Sequence, residues 1–312
     1  MWRVPGACSR YSRIASPEWK EQLQRLVIVI LRQLARLPLS VFHAIGALGG
    51  RLAYALSGRY ARRLRANLKA SGLCATEAEY RRVLRANIDE TGRQAIETIP
   101  LWFRDQRASV ALVRSVRGED LVREAHAAGR GVILLTPHLG CFEVAALYAA
   151  QSIPITVLYR PPRVQWLHGL IESGRGRGNV RLAPASASGV RRLLKALRSG
   201  EAIGVLPDQV PRFGEGVWVD FFGRPAYTMT LIGRLCELTR PAVFVAAALR
   251  RPHAGGYDIE VEPVHGDLSG VEGVRRMNAA IERMVARCPE QYLWAYSRHK
   301  RPPGAPPPPE RE

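Results

Sequence analysis

From residue 131 to residue 264 short apolar runs alternate with amphipathic stretches, and no other feature restricts the fold as tightly. The runs are Val132–Leu135, Ile155–Tyr159, Val180–Ala183, Ile203–Leu206, Val243–Leu249 and Tyr257–Val264. Helical patterns fall among them at Phe142–Ala150, Val164–Ser173, Val190–Ser199 and Thr230–Leu238, and Gly273–Arg287 follows the last. Runs this short and this uniformly apolar suit strands buried on both faces. Parallel strands need a crossover between them, and a helix normally supplies it. The expected fold class is therefore α/β, a largely parallel sheet flanked by helices. Tyr257–Val264 alternates apolar and polar residues, which predicts a more exposed strand near an edge.

An N-terminal membrane-associated helical segment is expected ahead of this body. The pattern predicts helix over Leu23–Leu56, interrupted near Pro38. Its longest uncharged stretch has 14 residues, between Arg36 and Arg51. That is short of the roughly 20 needed to span a bilayer. At 100° per residue Arg25, Arg32 and Arg36 fall within about 40° of one another, and Leu26–Leu31 fill most of the remaining circumference. A core helix with a basic stripe has this pattern too, but the further load of Leu37, Leu39, Val41, Phe42, Ile45 and Leu48 favours an interfacial helix, with a tilted single span as the alternative. Residues 58–70 add a basic cluster, which is either a solvated helix face or a contact for an anionic leaflet.

Residues 76–130 read as helical, opened by the capping box of Thr76 and Glu79. The expected organisation is thus a poorly ordered stretch over 1–21, membrane-associated helix or helices over 22–57, an α/β domain over 58–301 whose first part (58–130) is helical, and a disordered proline-rich tail over 302–312.

Lys and Arg number 46 against 27 Asp and Glu, a net charge of +19, so an anionic partner is expected. No helix-turn-helix, RNP or zinc-finger pattern accompanies the charge, and nucleic acid is not the expected partner. The five cysteines are scattered without C-x-x-C spacing, which speaks against a disulfide framework or a structural zinc site. Cys8 lacks the preceding apolar stretch of a lipoprotein signal.

The segment 131–145 carries the chemistry. His138 falls in the turn after a buried strand, and Glu143 lies five residues on, in the first turn of the next helix. In an open parallel sheet that strand-to-helix crevice is where ligands bind. A carboxylate that accepts the Nδ1 proton of a histidine leaves Nε2 free to act as base. A helix-capping histidine beside a first-turn carboxylate is the plainer alternative, and spacing does not separate the two. No Gly-x-Ser-x-Gly elbow exists, so any nucleophile is expected to be a hydroxyl of the substrate. Cys141 is the one candidate enzyme nucleophile, and packing is the commoner role for such a residue.

With these residues on the page the chain resembles the bacterial lipid A late acyltransferases, lauroyl/myristoyl type, of the lysophospholipid-acyltransferase-like superfamily. The resemblance runs from about residue 25 to 302. It rests on His138 and Glu143, Tyr159-Arg160-Pro161, the Gly174–Gly178 stretch with Arg175 and Arg177, and Asp208-Gln209. It continues through Phe221-Phe222-Gly223, Thr228, Gln291–Trp294, Arg298 and Lys300. One departure is Cys141-Phe142, where the family commonly has Asn-Trp; a ring is kept and an amide is lost.

The resemblance implies an acyl carrier protein thioester as donor and a phosphorylated lipid A precursor as acceptor. It places the reaction at the cytoplasmic face of the inner membrane, in contact with inner-membrane lipids, and calls for no metal or other cofactor. His138 and Glu143 would be catalytic, and Arg160, Arg175, Arg177, Asp208 and Gln209 would bind or orient substrate. Arg160 could serve phosphate or an oxyanion, and Arg175 and Arg177 phosphate. Each also has an ordinary reading, as a strand-end cation or a turn residue. Phe221 and Phe222 would line an acyl groove or simply fill the core. Other acceptors (a glycolipid, an aminolipid or a glycerophospholipid) suit the same chemistry, and a non-catalytic basic membrane- or nucleic-acid-binding protein is the reading from a different class.

Overall fold

The structure, a computed structural model, describes residues 17–161, 169, 171, 172 and 174–309. The expectations for residues 1–16, for most of Val164–Ser173 and for residues 310–312 lie outside the described residues.

Six helices come first: α1 (Pro17–Leu34), α2 (Leu39–Leu56), α3 (Gly58–Ala70), α4 (Glu77–Ile96), α5 (Thr98–Phe103) and α6 (Gln106–Val110). Pro38 N-caps α2 and so produces the expected interruption. Helices α2 and α4 pack with backbones nearly touching: a Cβ on Gly92 would sit 1.9 Å from the Gly46 carbonyl oxygen, so only glycine allows the approach. Elsewhere the two leading helices are bare: Leu26, Val29 and Ile30 of α1 and Ile45, Leu48, Leu52 and Leu56 of α2 are exposed. Among the described residues α2 alone is long and apolar enough to cross a membrane.

The body continues with β1 (Val113–Arg117), α7 (Glu119–Ala127), β2 (Val132–Leu135), α8 (Phe142–Ala149), β3 (Ile155–Tyr159), β4 (Val180–Pro184), α9 (Ala187–Arg198) and β5 (Ala202–Val205). A hairpin of β6 (Gly216–Phe221) and β7 (Arg224–Met229) follows, then α10 (Leu231–Thr239), β8 (Ala242–Arg250), β9 (Tyr257–Pro263) and α11 (Gly270–Arg287). Seven strands form one sheet in the order β1-β9-β8-β2-β5-β3-β4, parallel throughout except where β9 runs against β8. The protein is thus α/β with a mostly parallel sheet and flanking helices.

Strand pleating sorts the core. Ile133 and Leu135 of β2, with Ile203 and Val205 of β5, pack towards α9, α10 and α11. Val132 and Leu134 face the other way, into a second cluster with Leu147 of α8 and Val122 of α7.

Two sequence expectations differ from what is observed, the helical reading of 76–130 and the disordered tail. The span 76–130 is not all helix, because Val113–Arg117 adds a parallel edge strand against β9. Tyr257–Pro263 lies second from the edge with one face half covered, near an edge as its alternation predicts. The Phe221-Phe222-Gly223 motif is a two-residue hairpin turn, with Phe222 at φ 47° and Gly223 at φ 64°. Positive φ at both central positions matches the twist of the flanking strands. Finally, the tail expected to be disordered is docked from Pro302 to Pro306: Ala305 is buried with Val210 and Tyr227, and Trp218 Nε1 donates to the Pro306 carbonyl at 3.1 Å. Proline pays little conformational entropy on docking, and the hairpin provides an apolar shelf for it.

Candidate active site

Strands β2 and β5 are parallel neighbours with Leu135 opposite Val205. Three residues beyond that pair, on each strand, stand His138 and Asp208. Equal offsets from one register point bring two strand-end loops together. His138 Nδ1 lies 2.8 Å from Asp208 Oδ1, and the His138 backbone N–H donates to Asp208 Oδ2 at 2.8 Å. The carboxylate thus grips both the ring and the main chain of the histidine. Asp208 is 3% exposed. Burial opposes its ionisation, but the charge and hydrogen bonds of His138, with Arg298 further off, hold the carboxyl below its ordinary value.

Behind Asp208, Arg298 is itself buried, donating to the Tyr227 carbonyl at 2.8 Å and Thr228 Oγ1 at 2.5 Å. Tyr292 is buried against the same carboxylate; burial first, then Asp208, pushes its phenol well up and keeps it neutral. With Nδ1–H donating to Asp208, Nε2 of His138 is an acceptor, and the Gln209 side-chain amide reaches it at 3.0 Å. Phe142 packs on the imidazole, ring centroids 5.2 Å apart.

The expected His138–Glu143 hydrogen bond is absent, and this corrects the pairing drawn from spacing. Five residues along, the start of α8 turns the Glu143 carboxylate away from the ring and towards Arg175. Arg175 Nε donates to both Glu143 oxygens, at 2.8 and 3.0 Å, and Nη2 adds a third contact. The Arg175 guanidinium also lies 5.3 Å from the centroid of Trp102, to which Gly174 allows close approach. Arg177 points elsewhere: its guanidinium donates to the carbonyls of Leu101 and Arg104, a structural clasp rather than a free phosphate ligand.

His138, Glu143, Arg160, Arg175 and Gln209 share one cavity of about 860 Å3. It exists because pairing between β3 and β5 stops at Val157 and Gly204, while β5 goes on beside β2. The space beyond is walled mainly by apolar side chains, among them Val157, Leu158, Leu182, Leu194, Leu206 and Leu235. Arg212, Glu215 and Arg234 add charged groups to the lining, and Arg160 is exposed. Cys141 does not face this cavity; it is buried beside Glu97, and burial raises its thiol well above the usual range, so it is no thiolate nucleophile. Phe221 and Phe222 belong to an aromatic cluster with Tyr292 and Trp294, in the core and outside the cavity. No group of three metal-ligating side chains occurs among the described residues.

The sequence named Asp208 but not its bond to His138, and missed Arg298 and Tyr292 as the walls that bury it. Their similar places just beyond two apolar runs, three residues past Leu135 and two past Leu206, were the available signal.

Fold and site together define an α/β enzyme with a polar, histidine-centred head on a long apolar cavity. Comparison gives the class its family: residues 17–301 match the model of the bacterial lipid A biosynthesis acyltransferases, and the chain belongs to that family. It is similar to the lipid A biosynthesis lauroyltransferase of Escherichia coli (strain K12), 28% identical over 90% of this chain and 92% of the relative. It is also similar to the palmitoleoyltransferase of the same organism, 28% identical over 67% of this chain and 68% of the relative. A Haemophilus influenzae lipid A biosynthesis acyltransferase is 29% identical over 57% and 56%. The protein is an acyltransferase.

Proposed function

We propose that this acyltransferase moves a fatty acyl group from an acyl carrier protein thioester to a hydroxyl of a phosphorylated lipid A precursor, by direct attack. The observation that carries the mechanism is the His138–Asp208 pair at the head of the cavity. Asp208 holds the tautomer with Nδ1 protonated, so Nε2 takes the proton of the incoming hydroxyl as its oxygen attacks the thioester carbonyl. The carbonyl π pair moves to oxygen, giving a tetrahedral oxyanion. When this collapses, the C–S bond breaks and the imidazolium returns the proton to the departing thiolate. Glu143 aims Arg175, whose cation stands on the cavity wall near the developing negative charge. Gln209, now bonded to Nε2, yields its place to the hydroxyl and orients it.

The apolar cavity suits the hydrocarbon chain. Exposed Arg160 and the net charge of +19 suit acceptor phosphates and an acidic carrier. The exposed apolar residues of α1 and α2, with exposed Arg25 and Arg32 on α1, suit the anionic cytoplasmic leaflet of the inner membrane, with α2 lying along the surface because its other side is fixed to α4. The test is incubation of purified protein with acyl carrier protein thioester and lipid A precursor, followed by mass spectrometry of the lipid. One added acyl mass is expected, and His138→Ala should reduce its rate by about 10³-fold or more. Transfer only to other lipids would overturn the acceptor, and an undiminished His138→Ala would overturn the base.

A further inference from the structure

The turn that carries His138 is pinned from behind by a buried ionic cluster outside the lining of the site cavity. Arg250 ends β8, and its side chain is 2% exposed. Its guanidinium donates to both oxygens of Glu97, at 2.8 and 2.5 Å, and to Glu90 Oε2 at 3.1 Å. The remaining reach of Nη2 goes to the Gly140 carbonyl, at 2.9 Å, two residues beyond His138. Gln94 of α4 donates to the same carbonyl at 3.1 Å. Gly140 holds φ 62°, and a Cβ there would lie 2.1 Å from the Ala248 carbonyl oxygen, so this point of the turn is pressed flat against β8.

Burying a cation with two carboxylates is a poor way to gain stability, since desolvation consumes most of the attraction. An apolar trio would fill the space as well. What an apolar trio cannot provide is a fixed donor for a buried carbonyl, and the planar guanidinium provides it with little freedom to drift. Burial alone would raise the Glu97 carboxyl, but Arg250 and His43 override it and hold it at about 2, so the fork stays charged on both sides. The turn has further anchors: the His138 carbonyl accepts from Leu293 N–H at 3.1 Å and its N–H donates to Asp208, while Gly140 N–H donates to the Gln291 carbonyl at 3.1 Å and Cys141 N–H to the Ala248 carbonyl at 2.7 Å. On the α8 side Arg250 and Gln94 are the side-chain anchors, and they fix the plane of the Gly140 carbonyl.

We propose that Arg250 is a positioning residue for the transfer reaction, setting the His138 imidazole through its bond to the Gly140 carbonyl, with Gln94 as its assistant. The proposal rests on His138 being the base. A displacement of the order of 1 Å at such a group costs up to about 10²-fold in rate. Arg250→Lys keeps the charge but cannot bridge Glu97 and Gly140 as a fork does.

The experiment measures kcat and both KM values for Arg250→Lys and Gln94→Met in the full-length protein. Rates are taken per folded molecule, from the far-UV circular dichroism, well below each melting temperature. Expected for Arg250→Lys is a fall in kcat of about tenfold to a hundredfold, with KM within about threefold. Gln94→Met leaves the ion pairs whole and should lower kcat in the same direction by less. A folded Arg250→Lys with unchanged kcat overturns the proposal, whatever its melting temperature. If Arg250→Lys does not fold, unchanged kcat in Gln94→Met overturns it instead. His138→Ala measured alongside separates the two readings: if it stays active, the base assignment has failed; if it is dead while both other variants turn over normally, only the positioning role has.

Discussion

Two Glu–Arg pairs flank the His138 turn, and their surroundings assign them different work. Glu97–Arg250 is sealed, with side chains 1% and 2% exposed, while Glu143–Arg175 is at the cavity wall, 9% and 25% exposed. Chemically the pairs are alike, each a carboxylate gripped by more than one guanidinium nitrogen. The sealed pair has no access to a ligand, so breaking it leaves an uncompensated charge in a low-dielectric core. The open pair can exchange protein partners for substrate or solvent, so its loss is felt in the reaction. Burial, more than residue type, decides whether an ion pair meets the reaction directly or acts on it only through the structure it holds.

The contrast can be broken at either pair. Glu97→Ala should cost about 3–5 kcal/mol of stability, read from urea unfolding, because Arg250 then keeps Glu90 as its one carboxylate, with Gln291 and the Gly140 carbonyl. The same pair predicts an acid response. A carboxyl held at about 2 instead of its usual 4.5 stabilises the fold fully above pH 4.5, and that contribution is lost as pH falls from 4.5 towards 2. At about 1.4 kcal/mol per pKa unit the loss is about 3 kcal/mol, and it should be absent from the pH–stability curve of Glu97→Gln. Glu143→Gln should behave oppositely, lowering kcat by about 10²-fold while moving stability by about 1 kcal/mol or less. Equal stability losses at the two sites would dissolve the distinction.

How much of this could be read from the sequence depended on burial in the same way. The strands β2, β3, β5 and β8 were legible because their residues are almost all apolar and mostly buried, and edge strand β4 because only Arg181 interrupts its apolar run. Val113–Arg117 was not, since Val-Arg-Ser-Val-Arg on a sheet edge carries as much charge as a helix surface. The β6–β7 hairpin hid behind its Phe-Gly turn, where glycine alone announces the reversal. His138, Glu143, Arg160, Arg175 and Gln209 were named from the sequence and do meet in one cavity. The error lay in who partners whom. Proximity in sequence favoured Glu143, five residues away, whereas the partner is Asp208, 70 residues away on the adjacent strand. Strand adjacency is a property of sheet order: β3 and β4 come between β2 and β5 in the chain, and β5 inserts beside β2 in space. Arg250 and Glu97, 153 positions apart, had no sequence signal at all.

Asp208 is therefore where the account is most exposed. The decisive measurement is kcat for Asp208→Asn with saturating thioester donor and lipid A precursor, in protein shown to be folded. An amide in place of that carboxylate can present its NH2 to Nδ1 and favour the wrong tautomer, so kcat should fall by about 10³- to 10⁴-fold with KM little changed. A folded Asp208→Asn within about tenfold of the parent kcat would contradict the assignment, and would return the histidine's partner to be sought elsewhere.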